Sequence, residues 1–200
     1  MSDSSRTPDH HAGLLLVISG PSGVGKTTIV HRLLEIFQGV FSVSATTRPQ
    51  TDQDVEGVDY YFLDEPTFQQ WIDEGRFLEY AQVFGRSWYG TPRESVQPHI
   101  DADKLVILDI DVQGASQVRS SMPEALGIFI LPPSEDVLLQ RLRDRGREDE
   151  ATIERRFGEA RHEIETAHSC GAYDAFVVNS DLDEATAEIS RIIRERREGD

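Results

Sequence analysis

The stretch Gly20-Pro21-Ser22-Gly23-Val24-Gly25-Lys26-Thr27 constrains this chain more than any other, because it fits G-x-x-x-x-G-K-[ST] at every fixed position. The pattern carries weight only between a strand and a helix, and both are predicted here. Leu14 to Ser19 is a short unbroken apolar run, as expected of a strand buried on both faces in a parallel sheet. Behind the loop the period changes, and Ile29, Val30, Leu33, Leu34 and Phe37 recur at helical spacing until Gly39 ends the run. Glycines in such a turn let backbone N–H groups point at a phosphate, and the helix N-terminus adds partial positive charge. Lys26 then reaches the outer phosphates, and the Thr27 hydroxyl can ligate Mg²⁺. A dinucleotide fingerprint starting at Gly23-Val24-Gly25 is excluded, because its third glycine position holds Thr28.

Further buried-strand candidates stand at Leu105 to Asp111, Leu126 to Leu131 and Ala175 to Asn179, separated by helical or polar stretches. The expected fold is therefore α/β, a three-layer P-loop NTPase fold with a mostly parallel sheet. The interval before Leu105 is rich in Tyr, Phe, Trp, Asp and Gly and too long for a simple crossover, so about residues 42–92 are expected to form an inserted lobe. A helix should open at Ser134 and end near Gly146. Six arginines crowd the span from Arg141 to Arg156; alone they read as a solvated, ion-paired surface, and beside a phosphate site they read as a lid over about 141–160. The last helix should run from about Asp183, with Ile189, Ile192 and Ile193 turned inward. Residues 1–12 read as a disordered tail and 13–197 as one domain.

The 20 Lys and Arg against 36 Asp and Glu give a net charge of −16, which argues against binding nucleic acid or an anionic membrane. An anionic ligand must then be small and met by local cations. No apolar run approaches the roughly 20 residues needed to span a bilayer. Cys170 is the single cysteine, which fits a reducing compartment and a cytoplasmic location. Asp109 and Asp111 are read as acidic strand-end groups facing the phosphate cleft, with Asp109 beside the metal. Their bland alternative is capping the next helix. Asp111-Val112-Gln113-Gly114 also fits the D-x-x-G of a GTPase, but the nearest candidate for an N-K-x-D base reader, Asn179-Ser180-Asp181, lacks the lysine.

Beyond the loop, the order of several further motifs resembles the guanylate kinases, from about Leu14 to Ile193. The residues carrying the resemblance are Gly20 to Thr28, Ser42-Val43-Ser44-Ala45-Thr46-Thr47-Arg48, Gly57-Val58-Asp59-Tyr60-Tyr61-Phe62, Phe77-Leu78-Glu79, Trp88-Tyr89-Gly90-Thr91, Ile107 to Gly114, Pro132-Pro133-Ser134 and Val178-Asn179. The resemblance implies transfer of the γ-phosphoryl of ATP to GMP, with Mg²⁺ as cofactor. It implies ATP at Gly20, Pro21, Ser22, Gly23, Val24, Gly25, Lys26, Thr27, Thr28 and Asn179. It implies GMP at Ser44, Arg48, Tyr60, Glu79, Tyr89, Thr91, Asp109 and Asp111, with Glu79 reading the guanine. Thr27 and Asp109 would lie at the metal. Lys26, Arg48, Arg141, Arg145 and Arg156 would be the catalytic cations, and dGMP is an open second acceptor. The chemistry agrees: guanine offers N1–H and N2–H₂ donors to a carboxylate, whereas adenine would set an acceptor there and leave buried groups unpaired.

The chain departs from the family pattern at Arg48-Pro49-Gln50-Thr51-Asp52-Gln53-Asp54, where Thr51 takes the usual place of a second arginine. The stretch Val83 to Ser87 is about one residue longer than usual and carries Arg86, the candidate replacement. Two other readings stay open at this point: a guanylate-kinase-like module that binds protein without catalysis, and a kinase of this fold with another monophosphate acceptor. Whether the chain is a monomer or a homodimer is left open.

Overall fold

A computed structural model describes residues 12–83, 85–144 and 149–199. The first expectation, strand then loop then helix, holds as β1 (Leu14–Ser19) and α1 (Lys26–Phe37). A two-residue strand β2 (Val40–Phe41) follows, then β3 (Ser44–Thr46), β4 (Tyr60–Phe62), α2 (Glu65–Asp73), β5 (Phe77–Val83), β6 (Ser87–Pro92) and the short α3 (Gln97–Ile100). The chain continues as β7 (Leu105–Asp109), α4 (Val112–Ser121), β8 (Leu126–Leu131), α5 (Glu135–Asp144), α6 (Glu150–Ser169), β9 (Ala175–Val178) and α7 (Leu182–Glu198).

The central sheet has the order β2-β7-β1-β8-β9, and every pairing in it is parallel. Strands this apolar need cover on both faces. Leu14, Leu16 and Ile18 of β1 pack with Ile29 and Leu33 of α1 and Ile189 and Ile193 of α7. Their alternates Leu15 and Val17 pack with Val106, Leu108 and the α4 residues Ala115 and Val118. Two helical layers thus sandwich one sheet, the α/β architecture expected. Each fully buried Leu or Ile contributes about 1.5–3 kcal/mol, so this sheet is the rigid base from which the loops at its C-terminal edge are held.

The second sheet, β4-β3-β6-β5, lies within residues 44–92. Its β3 and β4 run parallel, and β6 pairs antiparallel with both β3 and β5. Side chains alternate across it. Ala45, Tyr61, Tyr80 and Trp88 pack with Phe68, Trp71 and Ile72 of α2 and with Phe77 in a small core. The opposite face takes Ser44, Tyr60, Tyr89, Thr91 and Glu79.

Some boundaries moved. The residue in left-handed conformation at the end of α1 is Gln38, φ 48°, rather than Gly39. β7 stops at Asp109, and Asp111 instead caps α4, its carboxylate accepting from the Gly114 N–H at 2.8 Å. The last helix starts at Leu182, because Asp181 accepts from the N–H groups of Asp183 and Glu184 and fixes its N-terminus. Ser134 opens α5 as expected, accepting from Val137 N–H at 3.2 Å. Of the expected tail, residues 1–11 lie outside the described residues, as do Gly146 and Arg145.

Candidate active site

The glycine loop joins the end of β1 to α1, the place where a parallel sheet presents its ligand site. Gly25 precedes the helix at φ 100°, and a Cβ there would stand 2.6 Å from Asn179 Nδ2. Only glycine meets both demands. The same Asn179 amide donates to Val24 O at 2.7 Å, so the residue after β9 pins the loop from its buried side. Asn179 is 5% exposed. Lys26 Nζ donates to Gly20 O and, at 3.4 Å, to Pro21 O, so the ammonium rests on the carbonyls of its own loop. Thr27 and Thr28 are exposed in the first turn of α1.

Two of the expected lid arginines converge on this loop. Arg156 of α6 donates to the Ser22 hydroxyl. Arg141 of α5 donates to Asn179 O at 3.1 Å, next to the amide that pins the loop. Leu138 and Leu142 of α5 lie against Gly23. Arg145 lies outside the described residues.

Two carboxylates, Asp109 and Glu163, feel the charge of Lys26. Asp109 ends β7, where burial raises its pKa and the Lys26 charge partly offsets the rise. Glu163 on α6 is raised chiefly by burial, with Lys26 opposing and Asp111 and Asp109 adding repulsion. Sequence reasoning missed Glu163. Its signal was helical spacing, since it lies between Ala160 and Ala167, both buried on the inward face of α6. Among the described residues no three acidic, histidine or cysteine side chains form a metal-holding group. A hard divalent ion here would therefore be held mostly by phosphate oxygens and water. The Thr27 hydroxyl and the Asp109 carboxylate suit that role, because Mg²⁺ takes oxygen donors and usually few from protein.

On the face of the second sheet opposite its small core, Glu79 and Thr91 are cross-strand partners of β5 and β6, and Ser44 pairs with Tyr60 across β3 and β4. Thr91 Oγ1 donates to Glu79 Oε1 at 2.6 Å. Glu79 is only 7% exposed. Burial raises its pKa above the ordinary carboxylate value, the Thr91 bond opposes this, and Asp111 adds to it. Asp111 thus caps α4 and still faces the Glu79 side. Gly114 lies against Glu79, and a Cβ there would crowd Glu79 Oε2 at 3.3 Å. The glycine of Asp111-Val112-Gln113-Gly114 therefore clears room for a carboxylate. One turn on, Gln117 Oε1 accepts from Tyr80 N at 3.1 Å and its Nε2 donates to Tyr80 O at 3.0 Å, fastening the strand beside Glu79 to α4.

Arg48, Tyr60 and Tyr89 come together as the sequence led us to expect. Arg48 Cζ lies 5.3 Å from the Tyr60 ring centroid, and the Tyr60 and Tyr89 rings meet edge-on at 5.8 Å. Arg48 is also bound to Asp54 through two 2.9 Å hydrogen bonds, which sequence reasoning did not foresee. Asp54 in turn accepts from Thr51 N and Thr51 Oγ1, both at 2.7 Å. These bonds, the one from Arg48 first, hold the Asp54 carboxyl far below its ordinary pKa, and the Asp54 bond raises that of Arg48.

The chain has thus a phosphate loop with converging arginines and, on a separate sheet, a buried carboxylate beside an Arg–Tyr–Tyr cluster. Comparison with known proteins gives the same combination a family. A guanylate kinase family profile matches residues 13–196. The chain is 48% identical over 185 residues to the guanylate kinase of Neisseria gonorrhoeae, covering 92% of this chain and 88% of that one. It is 46% identical over 184 residues to the guanylate kinase of Synechocystis, covering 92% and 94%. The crystal structure of the guanylate kinase from Anaplasma phagocytophilum superposes with a TM-score of 0.67 at 37% identity, covering 94% of this chain and 87% of that one. With the profile spanning nearly the whole chain and relatives this similar over nine-tenths of it, the chain belongs to the guanylate kinase family.

Proposed function

We propose that the chain transfers the γ-phosphoryl group of ATP to GMP, giving ADP and GDP, in the cytoplasm. The observation that carries this reading is the buried, Thr91-bonded Glu79 carboxylate on a sheet separate from the phosphate loop. One site takes a polyphosphate and the other reads the donor edge of a purine. Residues 42–92 act as the GMP lobe and about 141–160 as the lid. Glu79 accepts from guanine N1–H and N2–H₂, with Ser44, Thr91, Asp109 and Asp111 around the base. Arg48, Tyr60 and Tyr89 hold the GMP phosphate.

Phosphoryl transfer leaves the protein little covalent work; positioning and charge do most of it. Loop N–H groups from Gly20 to Thr28, with Asn179 behind them, orient the triphosphate. Lys26 exchanges its carbonyl partners for phosphate oxygens, and Arg141, Arg145 and Arg156 spread positive charge over the moving group. Mg²⁺, when bound beside Thr27 and Asp109, supplies further charge neutralisation. Closure of lobe and lid excludes water, so that ATP is not hydrolysed.

The test is a coupled ADP-release assay with GMP, dGMP, AMP, CMP and UMP, with Lys26→Ala as control. Turnover with guanine nucleotides, lost in the control, is expected. A preference for AMP, CMP or UMP would overturn the assignment of Glu79, and no turnover with any acceptor would overturn the activity.

A further inference from the structure

The segment from residue 42 to 92 holds nine carboxylates and only three arginines, Arg48, Arg76 and Arg86. A nucleoside monophosphate brings about two more negative charges, so which arginines are available decides whether its phosphate can be held at all. Arg76 is committed elsewhere: it bonds Glu94 at 2.8 Å and stacks on Trp71, 3.8 Å from the ring centroid. Arg48 reaches the Tyr60–Tyr89 cluster, but its charge is matched by the bidentate Asp54, which Thr51 locks in place. The remaining cation is Arg86, on the turn between β5 and β6. Among the described residues its guanidinium makes no hydrogen bond or ion pair. It lines a surface cavity of about 490 Å³ with Val83, Ser87 and Tyr89. Tyr89 lines this cavity, meets the Tyr60 ring edge-on and interacts with Arg48, so the cavity adjoins the Arg48–Tyr60–Tyr89 cluster.

We infer that Arg86 is a GMP-phosphate ligand, supplying the net positive charge that the Arg48–Asp54 pair lacks, with Tyr89 a neighbour of both cations. The inference rests on the reading of GMP at Glu79 and adds a residue to that site. Arg48 then orients the phosphate through its remaining N–H groups, while Arg86 balances its charge. A planar guanidinium suits a phosphate oxygen pair, and Arg86 is exposed where the cavity opens.

The experiment is calorimetric titration of the full chain with GMP and, separately, with guanosine, for wild type, Arg86→Ala and Arg86→Lys. Loss of a charge-assisted bond should weaken GMP binding by about tenfold to a hundredfold in Arg86→Ala. Guanosine, which has no phosphate, should bind both proteins alike, and Arg86→Lys should recover part of the GMP affinity. The wild-type affinity for GMP should also fall more steeply with salt than that of Arg86→Ala. Unchanged GMP affinity in Arg86→Ala overturns the inference, as does an equal loss for guanosine, which would mark a structural effect. Failure of the Glu79 reading would look different: the wild type itself would show no preference for guanosine over adenosine.

Discussion

Replacing Glu79 by Gln changes charge and leaves volume nearly untouched, which makes it the sharpest probe of base recognition. One carboxylate oxygen already accepts from Thr91 at 2.6 Å, and the group is 7% exposed. Guanine presents two neighbouring donors to it. The amide keeps one acceptor and turns an N–H₂ toward the second donor, so at least one charge-assisted bond is lost, worth about 1.5–3 kcal/mol. That predicts a fall of about ten- to 150-fold in kcat/KM for GMP, with the KM for ATP little changed. The assay is initial-rate ADP release with GMP varied at saturating ATP. A Glu79→Gln enzyme within threefold of wild type would refute the argument. Stability separates this from damage to the fold. Burial raises the folded pKa of Glu79, so its contribution to stability is full at pH values below its unfolded pKa and is lost as pH rises through the folded one. Glu79→Gln lacks that loss, and at neutral pH its Tm should not fall below wild type. GMP binding runs the other way, because it needs the carboxylate: the KM for GMP should climb as pH drops through the folded pKa of Glu79.

Three further substitutions probe the supports of the site. Gly25→Ala forces a Cβ to 2.6 Å from Asn179 Nδ2 at φ 100°; we expect about 1–3 kcal/mol less stability by chemical denaturation and weaker ATP binding, and a variant as stable as wild type would contradict the pinning of the loop. Gln117→Leu strips both bonds from the Tyr80 backbone and should raise the KM for GMP several-fold, at roughly 0.5–1.5 kcal/mol per lost bond, while ATP binding measured by titration stays put; equal damage to both would show that α4 acts generally. Glu163→Gln removes a carboxylate facing Lys26 and should tighten binding of metal-free ATP about two- to fivefold in the presence of a chelator; weaker binding would mean that Glu163 orients Lys26 productively.

The phosphate loop was legible because its information is local: eight consecutive residues, a strand before and a helix after. The parallel sheet was legible for a similar reason, since β1, β7 and β8 are continuous apolar runs. β2 was not, because two residues, Val40 and Phe41, carry no period. The face that carries Glu79, Thr91 and Tyr60 depends on register between β3, β4, β5 and β6, so these residues were reached through family resemblance and not through periodicity. The Arg48–Asp54–Thr51 clamp escaped notice because three polar residues in a turn have many possible partners. Glu163 was hidden among the acids and arginines of α6, where the buried Ile153, Ala160 and Ala167 mark the inward side.

The seat of Lys26 on the carbonyls of Gly20 and Pro21 has a bearing on which anions can draw it away. An ammonium that already has two carbonyl partners gains less from a single small anion, so inorganic phosphate and sulfate should be poor competitors. A chain of three phosphates offers simultaneous contacts to the loop amides, the helix terminus and the arginines of α5 and α6, and only that joint pull outbids the carbonyls. Discrimination by length of the phosphate chain would thus be set at the loop, whatever the base, by a side chain whose carbonyl partners an anion has to displace.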